Sequence, residues 1–218
     1  MLSYVIFPIL FAALGILLVR MMPDVDRTSH AMFGEYFSVH EHLGPYSKYK
    51  ILHSAEQTAG AFYQIQERNP ASCGHGWDSR CSPPYHIHLY QTETFEILEG
   101  EVLFKYNGAE SVARAGEKVV VPAGVKHTFA RSPDSDQDLL MNVMLEPAGK
   151  GESFFLELVG MFKERKMSPN PALLIWLLCH HDMRLADIPP PVHEFMCVAL
   201  DLVAPLMGYS LYHDQYKL

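Results

Sequence analysis

The pattern of apolar and polar positions divides the chain into three parts. From Leu2 to Val19 the run LSYVIFPILFAALGILLV contains no ionised side chain. From about Glu35 to Pro147 short segments such as YKILHS, AFYQIQER, YHIHLYQ, EKVVVPAG, KHTFARS and DLLMNVMLEP follow one another. Glycine, proline, asparagine and aspartate separate them, as in SPP, YNG, PAG and SPDSD. Many short strands at this spacing, with turn residues between them and no helical period, predict an antiparallel sandwich or barrel. After Gly149 the period lengthens. ESFFLELVGMFKERK, NPALLIWLLCHH and VHEFMCVALDLVAPLMGYS predict helices, interrupted at Pro169, Pro171 and Pro189-Pro190-Pro191. The expected organisation is an N-terminal transmembrane helix in residues 1–22, a linker at 23–34, a β unit at 35–148 and a helical extension at 149–218.

Residues 2–19 just reach the length needed to span a bilayer. The rival reading is a cleaved secretory signal. That needs a basic start and a small-residue cleavage site, whereas here no basic side chain precedes the run and Arg20-Met21-Met22-Pro23 follows it. An uncleaved membrane anchor is the expectation. Arg20 and Arg27 after the run predict that the body faces the cytosol.

Net charge is −8 and the 17 Lys and Arg are scattered, so no basic stripe points to nucleic acid. A chain that is 49% hydrophobic can build a substantial core. Four cysteines do not make a disulfide scaffold. Cys73 and Cys81 flank a loop that a disulfide would close in a luminal body, while Cys179 and Cys197 lie in apolar stretches and read as buried thiols.

Chemistry concentrates in HIHLYQTETFEILEG, residues 86–100. On a strand, His86 and His88 project to one face, Glu93 follows at or near the next strand, and Gly100 permits a tight turn. A third histidine, His127, opens a strand just after a Pro-Ala-Gly turn. Three imidazoles and a carboxylate suit Mn, Fe, Co, Ni, Cu or Zn and leave open positions on a five- or six-coordinate ion. Elsewhere His40 and His42 repeat the alternate spacing without the following Glu and Gly, and read as structural. His75 lacks zinc-finger spacing, and His180-His181 reads as the cationic end of a helix.

These residues resemble the two motifs of the cupin superfamily. His86, His88, Glu93 and Gly100 meet the first; Gly116, Pro122, Gly124 and His127 meet the second. The resemblance implies a mainly β fold, a single antiparallel cupin (double-stranded β-helix) barrel with C-terminal α-helices. It also implies that His86, His88, Glu93 and His127 hold one divalent transition metal (Fe, Mn, Ni, Cu or Zn). Two positions depart from the pattern. Arg80 stands near the place of a frequent glycine, and Arg131 replaces a frequent asparagine. If its strand is regular, Arg131 shares a face with His127 and Phe129, and two readings stand: a fixed cation pointing into the cavity, or an arginine at the barrel mouth facing water.

Inward positions expected at Tyr90, Phe95, Phe104 and Phe129 would line an aromatic pocket suited to a hydrophobic small-molecule substrate of polyketide, terpenoid or phenolic type. A redox-active ion predicts dioxygenation. A redox-silent ion predicts metal-assisted isomerisation or cyclisation, with Glu93 or Arg131 as catalytic groups. The chain as a whole resembles small single-barrel cupins of natural-product pathways. The alternative is a non-catalytic metal- or ligand-binding cupin, or a scaffold; a homodimer is compatible with each.

Overall fold

The computed structural model describes residues 37–38, 47–165 and 171–204. The expected anchor at 1–22, the linker at 23–34 and the His40/His42 pair lie outside the described residues. Among the described residues no helix is long and apolar enough to cross a membrane.

Eleven strands form among the described residues: β1 (Phe37–Ser38), β2 (Lys48–His53), β3 (Tyr63–Asn69), β4 (His86–His88), β5 (Thr92–Glu99), β6 (Glu101–Tyr106), β7 (Ala109–Arg114), β8 (Lys118–Val121), β9 (His127–Arg131), β10 (Leu139–Glu146) and β11 (Met183–Leu185). They make two antiparallel sheets, ordered β1-β2-β3-β10-β5-β8 and β11-β4-β9-β6-β7. The fold is mainly β, as the short alternating segments predict. Tight turns set the register. Asn107 and Gly108 both take positive φ between the paired Tyr106 and Ala109, the geometry a two-residue hairpin demands.

Alternation decides what fills the space between the sheets. On β3, Tyr63, Ile65, Glu67 and Asn69 are buried while Gln64, Gln66 and Arg68 face outward. On β10, Met141, Val143 and Leu145 point into the core and Met144 does not. Phe95, Phe104, Val102 and Ile97 complete that core. Burying such side chains removes roughly 1.5–3 kcal/mol each of exposed apolar cost, the main term holding the sheets together.

Three helices follow: α1 (Gly151–Arg165), α2 (Pro171–His180) and α3 (Pro190–Val203). Proline in the first turn of α3 costs no hydrogen bond, because those amides have no partner inside a helix. Between α2 and α3 the chain returns to the barrel as β11, a strand that the helical reading of 149–218 lacks. Three residues are too few to show a period of their own. β11 pairs with β4, setting Met183 beside His88 and Leu185 beside His86.

Two disulfides close loops, Cys73–Cys81 and Cys179–Cys197. The second corrects the reading of Cys179 and Cys197 as buried thiols. Apolar neighbours in sequence do not separate a buried thiol from a cysteine on one helix facing a cysteine on the next.

Candidate metal centre

The four expected ligands come from three strands and from both sheets. His86 and His88 are the first and last residues of β4, and His86 is the register partner of His127 on β9. Glu93 is the second residue of β5, in the other sheet. The cluster therefore sits where the sheets face each other, and all four side chains are buried.

Their donor atoms converge. Nε2 of His127 lies 2.7 Å from Oε2 of Glu93. Nε2 of His88 lies 3.3 Å from the same oxygen. Nε2 of His86 and of His88 are 3.2 Å apart. One ligand atom from each of the four falls within 4.8 Å of every other. Backbone carbonyls orient two of the rings. Nδ1 of His86 donates to the Pro84 oxygen at 2.8 Å, and Nδ1 of His127 donates to the Val125 oxygen at 3.0 Å. A carbonyl can only accept, so each ring carries a proton on Nδ1 and turns Nε2 inward; neutral His86 keeps a lone pair there, while Nε2 of His127 meets the Glu93 carboxylate.

Electrostatics agree with that arrangement. Burial would raise the pKa of Glu93, but the charge of His88 and hydrogen bonds from His127 and His88 outweigh it and hold the carboxyl well below its ordinary range. Burial, with neighbours His127 and His88, pushes His86 down to about 3, so it stays neutral. For His127 burial also lowers the pKa, yet its hydrogen bond to Glu93 and that carboxylate's charge produce a net rise. An ionised carboxylate facing oriented imidazole lone pairs in a dry pocket fits a divalent cation, which would satisfy donors that otherwise face each other.

His86, His88 and Glu93 open onto a cavity of about 310 Å³. Its apolar wall is built by Phe129 and Val143 of the barrel and by Phe154, Phe155 and Leu178 from α1 and α2. The helices thus form one side of the chamber.

The expected pocket residues divide. Phe129 lines the cavity. Phe95 and Phe104 lie behind it, with ring centroids 4.9 Å apart and Phe95 5.1 Å from Phe129. They are core residues supporting the wall, and Phe95 touches the site only as an edge 6.5 Å from the His127 ring. Tyr90 is 68% exposed. The strand ends at His88 and the chain bends across to the other sheet, so the alternation that would carry Tyr90 inward stops two residues short of it.

Arg131 also departs from expectation. It is buried, but its guanidinium donates to the carbonyls of Gly74 (3.2 Å), Ala71 (3.4 Å), Gln137 (3.5 Å) and Ser135. It ties two loops together and presents no free cation to the cavity. All five residues of β9 are buried, because the segment before β4 covers its other side, with Thr128 donating to Pro83 and Ser82 to Phe129. His180 and His181 have structural partners here. His180 reaches Asp201 of α3 at 2.7 Å, and His181 is buried 3.7 Å from Glu157.

Among the cavity residues outside the motif reading are Ser47, Tyr49 and Glu67. The signal for Glu67 lies in the alternation of YQIQERN, which puts it on the same face as Tyr63 and Ile65.

A family profile described as "Cupin domain" matches residues 78–143, the stretch that carries all four ligands. The chain is 29% identical over 147 residues to "Probable oxidoreductase virH" of Hypocrea virens, across 62% of this chain and 67% of that protein. It is 27% identical over 150 residues to "Epoxidase atD" of Aspergillus terreus, spanning 62% of this chain but only 46% of that one. Among solved structures, a predicted oxalate decarboxylase from Thermotoga maritima aligns with a TM-score of 0.42 at 21% identity, over 57% of this chain and 99% of that one. Both motifs lie within the matched stretch, and His86 of the first pairs in register with His127 of the second, so residues 78–143 are similar to a cupin domain.

Proposed function

We propose that the protein is a metal-dependent enzyme that oxidises a hydrophobic small molecule of polyketide, terpenoid or phenolic type. The observation that carries this reading is the convergence of the His86, His88, Glu93 and His127 donors, the first three at the wall of a largely apolar chamber. The names of the relatives, an oxidoreductase and an epoxidase, favour oxidation over isomerisation or cyclisation.

A divalent transition ion (Fe, Mn, Ni, Cu or Zn) held by these four residues supplies open coordination positions and, when redox-active, electrons for chemistry with O2. The chain supplies the rest. Phe129, Val143 and the helix residues Phe154 and Phe155 hold the apolar body of the substrate and keep water from it. Carbonyls of Pro84 and Val125 keep His86 and His127 in the ligating tautomer. Glu93, ionised at the cavity wall, would help hold the ion and accept a hydrogen bond from a substrate hydroxyl.

The test is elemental analysis of the full chain purified without chelator, beside a His86→Ala/His127→Ala variant. Near-stoichiometric iron or copper that disappears in the variant is the expected result. Manganese, nickel or zinc lost in the same way would move the chemistry to isomerisation or cyclisation. Absence of metal from the wild-type chain, even after reconstitution, overturns the reading.

Compartment follows a separate line. Two disulfides favour an oxidising surrounding for the body, whether secreted or held by residues 2–19 on a luminal face, over the cytosolic placement drawn from Arg20 and Arg27. Protease protection of the body in sealed microsomes tests it; digestion without detergent counts against it.

A further inference from the structure

The chamber has a second set of polar groups. Besides the metal ligands, Ser47, Tyr49 of β2 and Glu67 of β3 line the same cavity. Tyr49 and Glu67 are register partners, so their side chains share a face of the sheet. The Glu67 side chain lies in a strand whose other inward residues, Tyr63 and Ile65, are packed in the core. A carboxyl at such a position is costly, and an apolar residue of similar size would stabilise the barrel more.

We propose that Glu67, with Ser47 and Tyr49 beside it, is a second ligand-contacting pole of the cavity, so that the chamber takes an apolar body bearing two oxygens, one toward the metal cluster and one toward Glu67. This deepens the small-molecule reading above and rests on it. The distribution of lining residues supports it. The lining holds Ser47, Tyr49 and Glu67 as well as three of the metal ligands and Arg80 and Ser82, with Phe129, Val143, Phe154 and Phe155 as apolar wall. A molecule with one oxygen and a hydrocarbon tail would set its tail against Glu67 and leave a buried carboxyl facing hydrocarbon.

Protonation gives the contact its character. Burial is the largest effect on Glu67; the neighbouring Asn69 and Ser47 side chains oppose it, the charge of Glu93 adds to it, and the pKa is pushed up to about 8. Tyr49 is held as a phenol by burial and by Glu67. The titratable and charged groups sharing the cavity with Glu67 are thus Tyr49 beside it, Glu93 of the same sheet, His86, His88 and Arg80. At neutral pH the acid carries an O–H and can both donate and accept. It therefore suits a carbonyl or a hydroxyl and disfavours a carboxylate.

The test uses the full chain freed of metal, so that it does not depend on the metal reading, with 1-naphthol and naphthalene as paired probes. Infrared spectra of wild type minus Glu67→Gln at pH 6.5 should show one neutral carboxyl band. That band should move when 1-naphthol binds and stay in place with naphthalene. The preference for 1-naphthol over naphthalene should fall roughly ten-fold in Glu67→Leu and persist in Glu67→Gln. A band that ignores 1-naphthol, an unchanged preference in Glu67→Leu, or failure of both probes to bind overturns the proposal and leaves Glu67 a structural residue of the β2–β3 pair. Should Glu67→Leu not fold, the infrared comparison with Glu67→Gln decides alone. Metal content is measured on separate samples of wild type, Glu67→Gln and the His86→Ala/His127→Ala variant. Loss in the histidine variant alone is expected. Loss in Glu67→Gln as well would make Glu67 a support of the metal site and overturn the inference, whatever becomes of the metalloenzyme reading.

Discussion

Gly100 lies against the backbone carbonyl of Asp138. Its φ is +76°, and a methyl group in place of its hydrogen would overlap the Asp138 oxygen and come within 3.3 Å of Leu139 Cα. Asp138 has little freedom to yield, since its carboxylate accepts from the Ala71 amide at 2.9 Å and from Arg68 at 3.0 Å. The glycine of the first motif therefore serves close packing of the β5–β6 turn as well as its conformation. Gly100→Ala is expected to cost about 3 kcal/mol, counting backbone strain and overlap together. In a chain of this size that lowers Tm by roughly 6–12 °C. Gly108→Ala is the control. Its φ is also positive but nothing lies within 4 Å of the added carbon, so it should lose clearly less. Equal losses in thermal melts of the two variants would refute the packing argument.

Arg131 distinguishes a stabilising role from a catalytic one. Its guanidinium satisfies carbonyls of Ala71, Gly74 and Gln137 as well as Ser135. Arg131→Ala leaves these oxygens short of donors and opens a cavity, at an expected cost of about 2–4 kcal/mol. Metal content per folded molecule should stay at the wild-type level. An unchanged melting temperature with altered metal content would reverse this assignment.

Stability should decline as pH rises through the range below neutrality. Glu157 is buried, and burial raises its pKa from an ordinary 4.5 to about 7. Between those values the folded chain binds more protons than the unfolded one, so its contribution is fully present below pH 4.5 and is lost as pH approaches and passes 7. The loss is about 3 kcal/mol at most, lessened by His181 at 3.7 Å. Urea titrations from pH 5 to 8 should show this decline in wild type and a shallower one in Glu157→Gln. Parallel curves for the two would exclude Glu157 as a cause. Glu67 acts in the same direction up to about pH 8, so some slope remains in the variant.

The bond between Cys179 and Cys197 joins α2 to α3 across a separation of 18 residues. Loop-closure entropy for that length is about 3 kcal/mol. A Cys179→Ser/Cys197→Ser variant should melt lower by roughly 6–12 °C, and dithiothreitol should then lower it further only through Cys73–Cys81. A variant melting with wild type would mean that α3 docks without the bond.

The metal cluster was legible in sequence because it rests on spacing: strand alternation pairs His86 with His88, and a Pro-Ala-Gly turn fixes where His127 begins its strand. The reach of that alternation was the limit. It failed at Tyr90, where the strand had already ended, and at Arg131, whose strand is covered on its outer side by an irregular segment with no periodic signal. Glu67 obeyed the alternation but carried no motif, and a lone glutamate among glutamines and arginine reads as solvent-facing. Pairing of Cys179 with Cys197 depends on how two helices meet, which local sequence does not encode. The placement of residues 2–19 is a matter for the membrane experiment rather than for the barrel.

β4 carries two of the four ligands, and its longer pairing is with β11; toward β9 the register holds only His86 opposite His127. During synthesis the histidines at 86 and 88 leave the ribosome early, whereas Met183–Leu185 emerge near the end. A nascent chain that has finished β10 already owns every ligand, yet its histidine strand still has an open edge. Completion of the histidine strand's pairing is thus a late event in the life of the polypeptide, and translation that stops short of β11 releases a barrel with its four donor residues present and its clasp missing.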